Sequence, residues 1–444
     1  MGHRTSALLT ALVLACTTPA PSVDTIPNAT PSAAAVSPTP TADPCPVASL
    51  PDRATAAPVL AGPPATGEVA GTLLFEDAGR FTVFSGGSLT EITPPFPPRE
   101  GLTRLSPDGQ ELRGLLWDEG GQATYLWRYR RASRATSLVT LPIPRLPTHA
   151  AFAWSPDVTR FAYVHDFDAA ETEIVIGSLD GTIDRLRVPG ERLVASAWRG
   201  GSTYTFVTAA GTFGLPKPDA TLWSSRPGDA RESLGRISLG STGMQWARGG
   251  DALAYVGLDD QGETALRIRM AGVDTIALRT ADLLRAPLGC RIAGRELRFS
   301  SVEWSPGGAS VVVRGQGPGQ SLYFAAWLRS SGEPGFFLVP PSCYTFSAEW
   351  ATSSRLLVPM WGPECGTDDK TNRVAVVDAE SAQVLAELPI ARKARVTPSP
   401  DGRWFATQDD AVLHIVAPSS QLDPGGTERF SIARRGFVQW CCPR

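Results

Sequence analysis

Histidine is nearly missing from this chain: there are four in 444 residues, His3, His149, His165 and His414. That scarcity removes the commonest proton shuttle and metal ligand from most of the molecule. The cysteines offer no Cys-x-x-Cys pair, so a zinc centre has no basis in spacing. No Gly-x-Ser-x-Gly elbow is present either. Gly315-Gln316-Gly317-Pro318-Gly319 joins two strand-like runs and is followed by no lysine, so it is not a phosphate cradle. His414 alternates with Leu413 and Ile415 along a strand and reads as structural. Catalysis needs a nucleophile, an acid or base and a group to orient them. No such set stands out, and no catalytic residue, cofactor or metal is expected. A basic excess is also lacking: 41 Lys and Arg face 44 Asp and Glu, a net charge of −3. Nucleic acid is therefore not an expected partner. After the first few residues there is no apolar run long enough to cross a bilayer as a helix.

That first stretch is the one strongly apolar segment. His3 and Arg4 give a short basic start, and Ala7 to Leu14 are mostly Ala, Leu and Val, too short a run for a mature transmembrane helix. It ends in Val13-Leu14-Ala15-Cys16, which resembles the lipobox of bacterial lipoproteins. The resemblance implies cleavage before Cys16, a diacylglycerol on its sulfur, and an exported, membrane-anchored protein. Small Ala15 fits the pattern, whereas Val13 stands where leucine is usual and Leu14 where a small residue is usual. The other reading is an ordinary secretory signal cut elsewhere. Residues 17 to 60 are rich in Pro, Thr, Ser and Ala and lack the apolar mass to fold. The organisation expected is a signal at 1–15, a tether at 16–60 and a folded body at 61–444.

The body is rich in turns, and its chain of 444 residues carries 43 Gly and 39 Pro. Seven segments repeat one pattern: an apolar strand ending in Trp or a bulky residue, a tight turn, then a β-rich strand. The clearest are Leu105-Ser106-Pro107-Asp108-Gly109, Trp154-Ser155-Pro156-Asp157, Trp304-Ser305-Pro306-Gly307-Gly308 and Ser399-Pro400-Asp401-Gly402. Looser copies begin at Trp198, Trp246 and Trp350. Proline presets φ at the first corner, Asp hydrogen-bonds locally, and Gly accepts a positive φ. The residue after each strand falls at 106, 155, 199, 247, 305, 351 and 399, at spacings of 49, 44, 48, 58, 46 and 48. Three more strand-like runs follow each turn. Four strands in a unit of this length make a propeller blade.

The Trp-Ser-Pro-Asp-Gly turn with its following strand resembles the TolB-type and WD-related propeller repeat over residues 67 to 440. The resemblance implies an all-β fold, a single propeller of four-stranded antiparallel blades. Residues 71–93 hold three strands without a leading Trp-ended one, and Gly436-Phe437-Val438-Gln439-Trp440 supplies it. Terminal segments sharing one blade give eight blades, with seven as the alternative because the 58-residue interval is irregular. Prolyl oligopeptidases carry such a propeller ahead of a hydrolase domain, and no such domain is legible here.

Strand direction alternates in a blade, so the loops between its second and third strands emerge on the same face as the links between blades. Long or unusual loops at 165–172, 258–264, 281–298 and 359–372 fall on that face. The candidate ligand residues there are His165, Asp166, Asp259, Asp260, Trp361, Asp368 and Asp369. Without Cys16, six cysteines remain, an even number that favours disulfides in an exported chain. Cys45 on the tether can reach Cys441 or Cys442, while Cys343 and Cys365 share the other face, with Cys290 as competitor for either. Adjacent Cys441 and Cys442 could instead bond to each other, or all six could stay reduced. The function expected is a non-catalytic binding or scaffold propeller, monomeric, for a protein or envelope ligand. The alternative is a propeller enzyme cleaving a polysaccharide with two carboxylates drawn from separate blades.

Overall fold

A computed structural model describes residues 71–441 apart from internal stretches, the longest at 144–151, 166–170, 286–291, 362–371, 391–395 and 417–427. The chain is a single β-propeller of four-stranded antiparallel blades. Among the described residues, the strands pair into eight four-stranded sheets. Seven are each made of four consecutive strands, over residues 104–141, 152–189, 192–239, 244–279, 298–338, 349–390 and 396–432. The other is composite: Phe437–Cys441 pairs antiparallel with Thr72–Asp77, in register Thr72↔Cys441 to Glu76↔Phe437. The two ends of the described chain thus meet in one sheet, and the last strand supplies the inner edge that residues 71–93 lack.

The first strand of each sheet is innermost, and inner strands of successive sheets adjoin one another around the ring. Burial then follows position. Second strands are sandwiched between neighbouring blades, and Thr203–Ala209 and Ala252–Leu258 are buried at every residue. Fourth strands form the rim, and Ala135–Leu141 and Ser88–Ile92 are mostly exposed. The hydrophobic core therefore lies in the seams. One seam joins Tyr323, Trp327 and Phe337 of one blade to Trp350, Leu356 and Val358 of the next.

The repeated turn owes its form to a buried serine. Ser106 Oγ receives the Glu111 backbone N–H at 2.9 Å and donates to Asp108 Oδ1 at 2.5 Å. Its backbone accepts from Gly109 N–H at 2.8 Å. Ser155 repeats this with Arg160 N–H at 3.0 Å and Asp157 at 2.6 Å. Ser305 and Ser399 receive Ser310 N–H at 3.1 Å and Trp404 N–H at 3.0 Å. Gly109 and Gly308 sit at φ 68 and 70, and Val158 takes that left-handed place at φ 54. Positive φ is strained for a β-branched residue, so the turn's hydrogen bonds hold Val158 there.

The strand-ending tryptophans fasten blade to blade. The indole N–H of Trp350 donates to Glu303 O at 3.1 Å, that of Trp304 to Gln245 O at 2.9 Å, and that of Trp198 to Ala153 O at 3.2 Å. Each acceptor precedes the tryptophan of the previous repeat. Trp246 reaches its equivalent, Ala197 O, through a relay: its N–H donates to Thr205 Oγ1 at 2.7 Å, which donates onward at 2.6 Å.

The 58-residue interval has a physical cause. After the strand Val273–Arg279 the chain enters a 3-10 turn, Thr280–Arg285. Leu283, Ile292 and Leu297 of this connection then pack into the seam with Phe299, Val311 and Phe324. The extra residues plug a seam and do not replace a blade.

Candidate functional site

The expected ligand residues do not assemble into one site among the described residues. Asp166, Asp368 and Asp369 lie outside them, as do Cys16, Cys45, Cys290, Cys365 and Cys442. His165 ends the strand Arg160–His165, opposite Glu173, and only its backbone is described. Half-buried Trp361 directly follows the strand Arg355–Met360. Asp259 closes a short turn: its Oδ1 receives Gln261 N–H at 2.9 Å and Glu263 N–H at 3.0 Å. Arg279 stands 3.9 Å from Asp259 and 3.9 Å from the exposed Asp260. This is turn chemistry; the segment 258–264 is a tight connection rather than a long loop.

Two other places carry chemistry. The first is on the inner strands. Glu303 of Arg298–Trp304 and Glu349 of Glu349–Thr352 come from adjacent blades, with Arg314 of Val311–Gln316 beside them. Burial pushes the Glu303 carboxyl up to about 8, helped by the Glu349 charge and opposed by the Trp350 backbone N–H and Arg314. Burial also raises Glu349, against Arg314, and lowers Arg314 itself. A carboxylic acid kept protonated beside a second carboxyl is one way acid chemistry is set up at neutral pH. A structural account stands beside it. Gln245 Oε1 accepts Trp304 N–H at 2.7 Å, and Gln439 Oε1 accepts Leu105 N–H at 3.1 Å. Glu303 accepts Trp350 N–H from the corresponding position, one residue before the tryptophan.

The second place is a cavity of about 170 Å³ where blade 192–239 meets the link into blade 244–279. It opens on the face of the between-blade links. The start of strand Arg192–Arg199 supplies Arg192, Leu193 and Val194; the end of Thr203–Ala209 supplies Ala209. Gly214, Leu215 and Lys217 come from the next connection, and Thr242 from the link. Antiparallel pairing of Arg192 with Ala209 brings the first two groups together. The walls are mainly apolar, and two cationic residues, Arg192 and Lys217, belong to the lining. Sequence reasoning missed this site, although Gly211, Gly214 and Pro216 marked an irregular connection there. The Glu303 and Glu349 positions were more visible: Glu-Trp replaces the Ala-Trp of residues 153–154 and 197–198.

No protein-family profile matches the chain, and no curated protein matches it in sequence. Solved structures do resemble it. A prolyl endopeptidase shares 10% identity over 84% of this chain, with a TM-score of 0.45, and the chain spans 50% of that protein's length. TolB from Acinetobacter baumannii is 11% identical over 71% of this chain and 76% of its own, TM-score 0.36. Apo AztD from Citrobacter koseri is 10% identical over 84% and 98%, TM-score 0.49. At such identities the likeness extends to the propeller fold.

Proposed function

We propose that this chain is an exported binding propeller of eight blades, anchored through lipid on Cys16 and acting without catalysis on a protein or envelope ligand. The observation that supports it best is the apolar cavity at Arg192, Leu193, Val194 and Leu215. Concave, mainly apolar pockets with a few polar groups are the usual form of a ligand site. It opens on the face where the links between blades lie, away from the repeated tight turns. The test uses the soluble 61–444 fragment as bait in an envelope extract, beside a Val194→Trp variant that fills the cavity. A partner retained by the unaltered bait and lost by the variant supports the reading. Equal retention by both removes the cavity from the account.

A second reading rests on Glu303 and Glu349. Glycoside hydrolysis uses two carboxyl groups, one of them held protonated. A lyase or glycosidase at the channel mouth would create new chain ends in acidic or neutral polysaccharides. Activity lost in Glu303→Gln, with the fold kept, favours that reading; activity equal in both proteins dismisses it.

A further inference from the structure

We infer that the cavity between blades 192–239 and 244–279 binds a small aliphatic carboxylic acid, a proposal that rests on the binding reading above and gives its ligand class. Three observations combine. The walls at Leu193, Val194, Ala209 and Leu215 are aliphatic. Arg192 lines the same cavity, half-buried, and among the described residues its guanidinium has no hydrogen bond or ion pair. Lys217 adds a second cation to the lining, with Nζ 3.5 Å from Ala210 O. The acids close by are engaged elsewhere: Asp219 with Arg236, and Glu191 with Thr208 Oγ1.

A guanidinium carries five N–H donors, and those of half-buried Arg192 are open to a ligand in the cavity. A carboxylate satisfies two of them at once in the fork geometry that arginine favours. The rest of the ligand must then be apolar, because the walls offer little to hydrogen-bond. An alcohol would satisfy the walls but not the charge. An amine would place a cation against two cations.

The test titrates the full chain with octanoate, octanol and octylamine by calorimetry, and repeats it with Arg192→Gln and Val194→Trp. Octanoate is expected to bind the unaltered protein about tenfold or more tightly than octanol, with no heat from octylamine. Arg192→Gln should erase the octanoate preference while leaving octanol binding in place, and Val194→Trp should abolish both. Equal binding of octanoate and octanol, or an unchanged preference in Arg192→Gln, overturns the acid assignment while the cavity remains a ligand site. Binding of no probe at all overturns the acid assignment too; the cavity's role in capturing a partner is then judged separately by the Val194→Trp bait.

Discussion

A glutamate at position 303 accepts a backbone N–H that glutamine accepts at the matching places, Gln245 and Gln439. The charge is therefore not needed for the contact, and its cost can be measured. Glu303 is held at about 8 in the folded protein against an ordinary 4.5. Between those pH values the unfolded chain has lost a proton that the folded chain keeps. Rising pH therefore favours unfolding across that window, and this contribution levels off above it. Below the ordinary value both states are protonated and the group contributes nothing. Glu303→Gln keeps the acceptor and removes the ionisation. Urea unfolding at pH 5 should show little difference between the two proteins. At pH 8.5 the variant should be more stable by about 1–3 kcal/mol. A wild-type stability that does not fall between those pH values would show that Glu303 ionises freely.

Between elements, the inter-blade contacts explain why tryptophan recurs at the end of the inner strand. The indole both fills a seam and reaches a carbonyl of the preceding blade. The Thr205 relay is the most testable case. Thr205→Val keeps the shape but strips Trp246 N–H of its acceptor and Ala197 O of its donor. Buried groups left unmatched cost about 1–3 kcal/mol, so stability should drop by that amount, while Thr205→Ser should lose much less. Chemical denaturation followed by tryptophan fluorescence checks both. This level of organisation was legible in the sequence, because a Ser-Pro-Asp-Gly turn is decided by its own few residues and its recurrence gives the blade. The plug formed by Leu283, Ile292 and Leu297 was not, since nothing local distinguishes a seam-filling leucine from a loop leucine. The cavity was equally hidden: Arg192, Ala209, Lys217 and Thr242 meet only after two blades are in place. At Asp259 and Asp260 the sequence alone does not separate the two roles, because aspartate in a turn has the same local pattern whether it binds a ligand or closes the turn.

For the whole molecule, closure depends on the strand Phe437–Cys441. Without it, the sheet of Thr72–Asp77 exposes Leu73 and Phe75 and loses the ladder from Thr72↔Cys441 to Glu76↔Phe437. Inner strands on both sides also lose a neighbour, since those beginning at Arg104 and Val396 adjoin it. Deleting residues 436–444 should therefore lower the melting temperature of the entire body, not of one blade, and unchanged calorimetry would refute closure through this strand. The same geometry bears on the cysteines. Cys441 stands beside Thr72, where the described chain begins, so a tether cysteine arriving there has a short path to it. Cys343 is buried before the inner strand Glu349–Thr352, at the opposite end of the blades. Peptide mapping without reductant is expected to recover Cys45 with Cys441 or Cys442, and Cys343 with Cys365 or Cys290. A staple from Cys45 to Cys441 closes a loop of about four hundred residues, for which chain entropy sets an upper guide on the order of 5 kcal/mol. Reduction should then lower the melting temperature of the wild type but not that of a Cys45→Ser variant to the same extent. Recovery of Cys45 with Cys343 would place the tether on the other face and contradict the path drawn from Thr72.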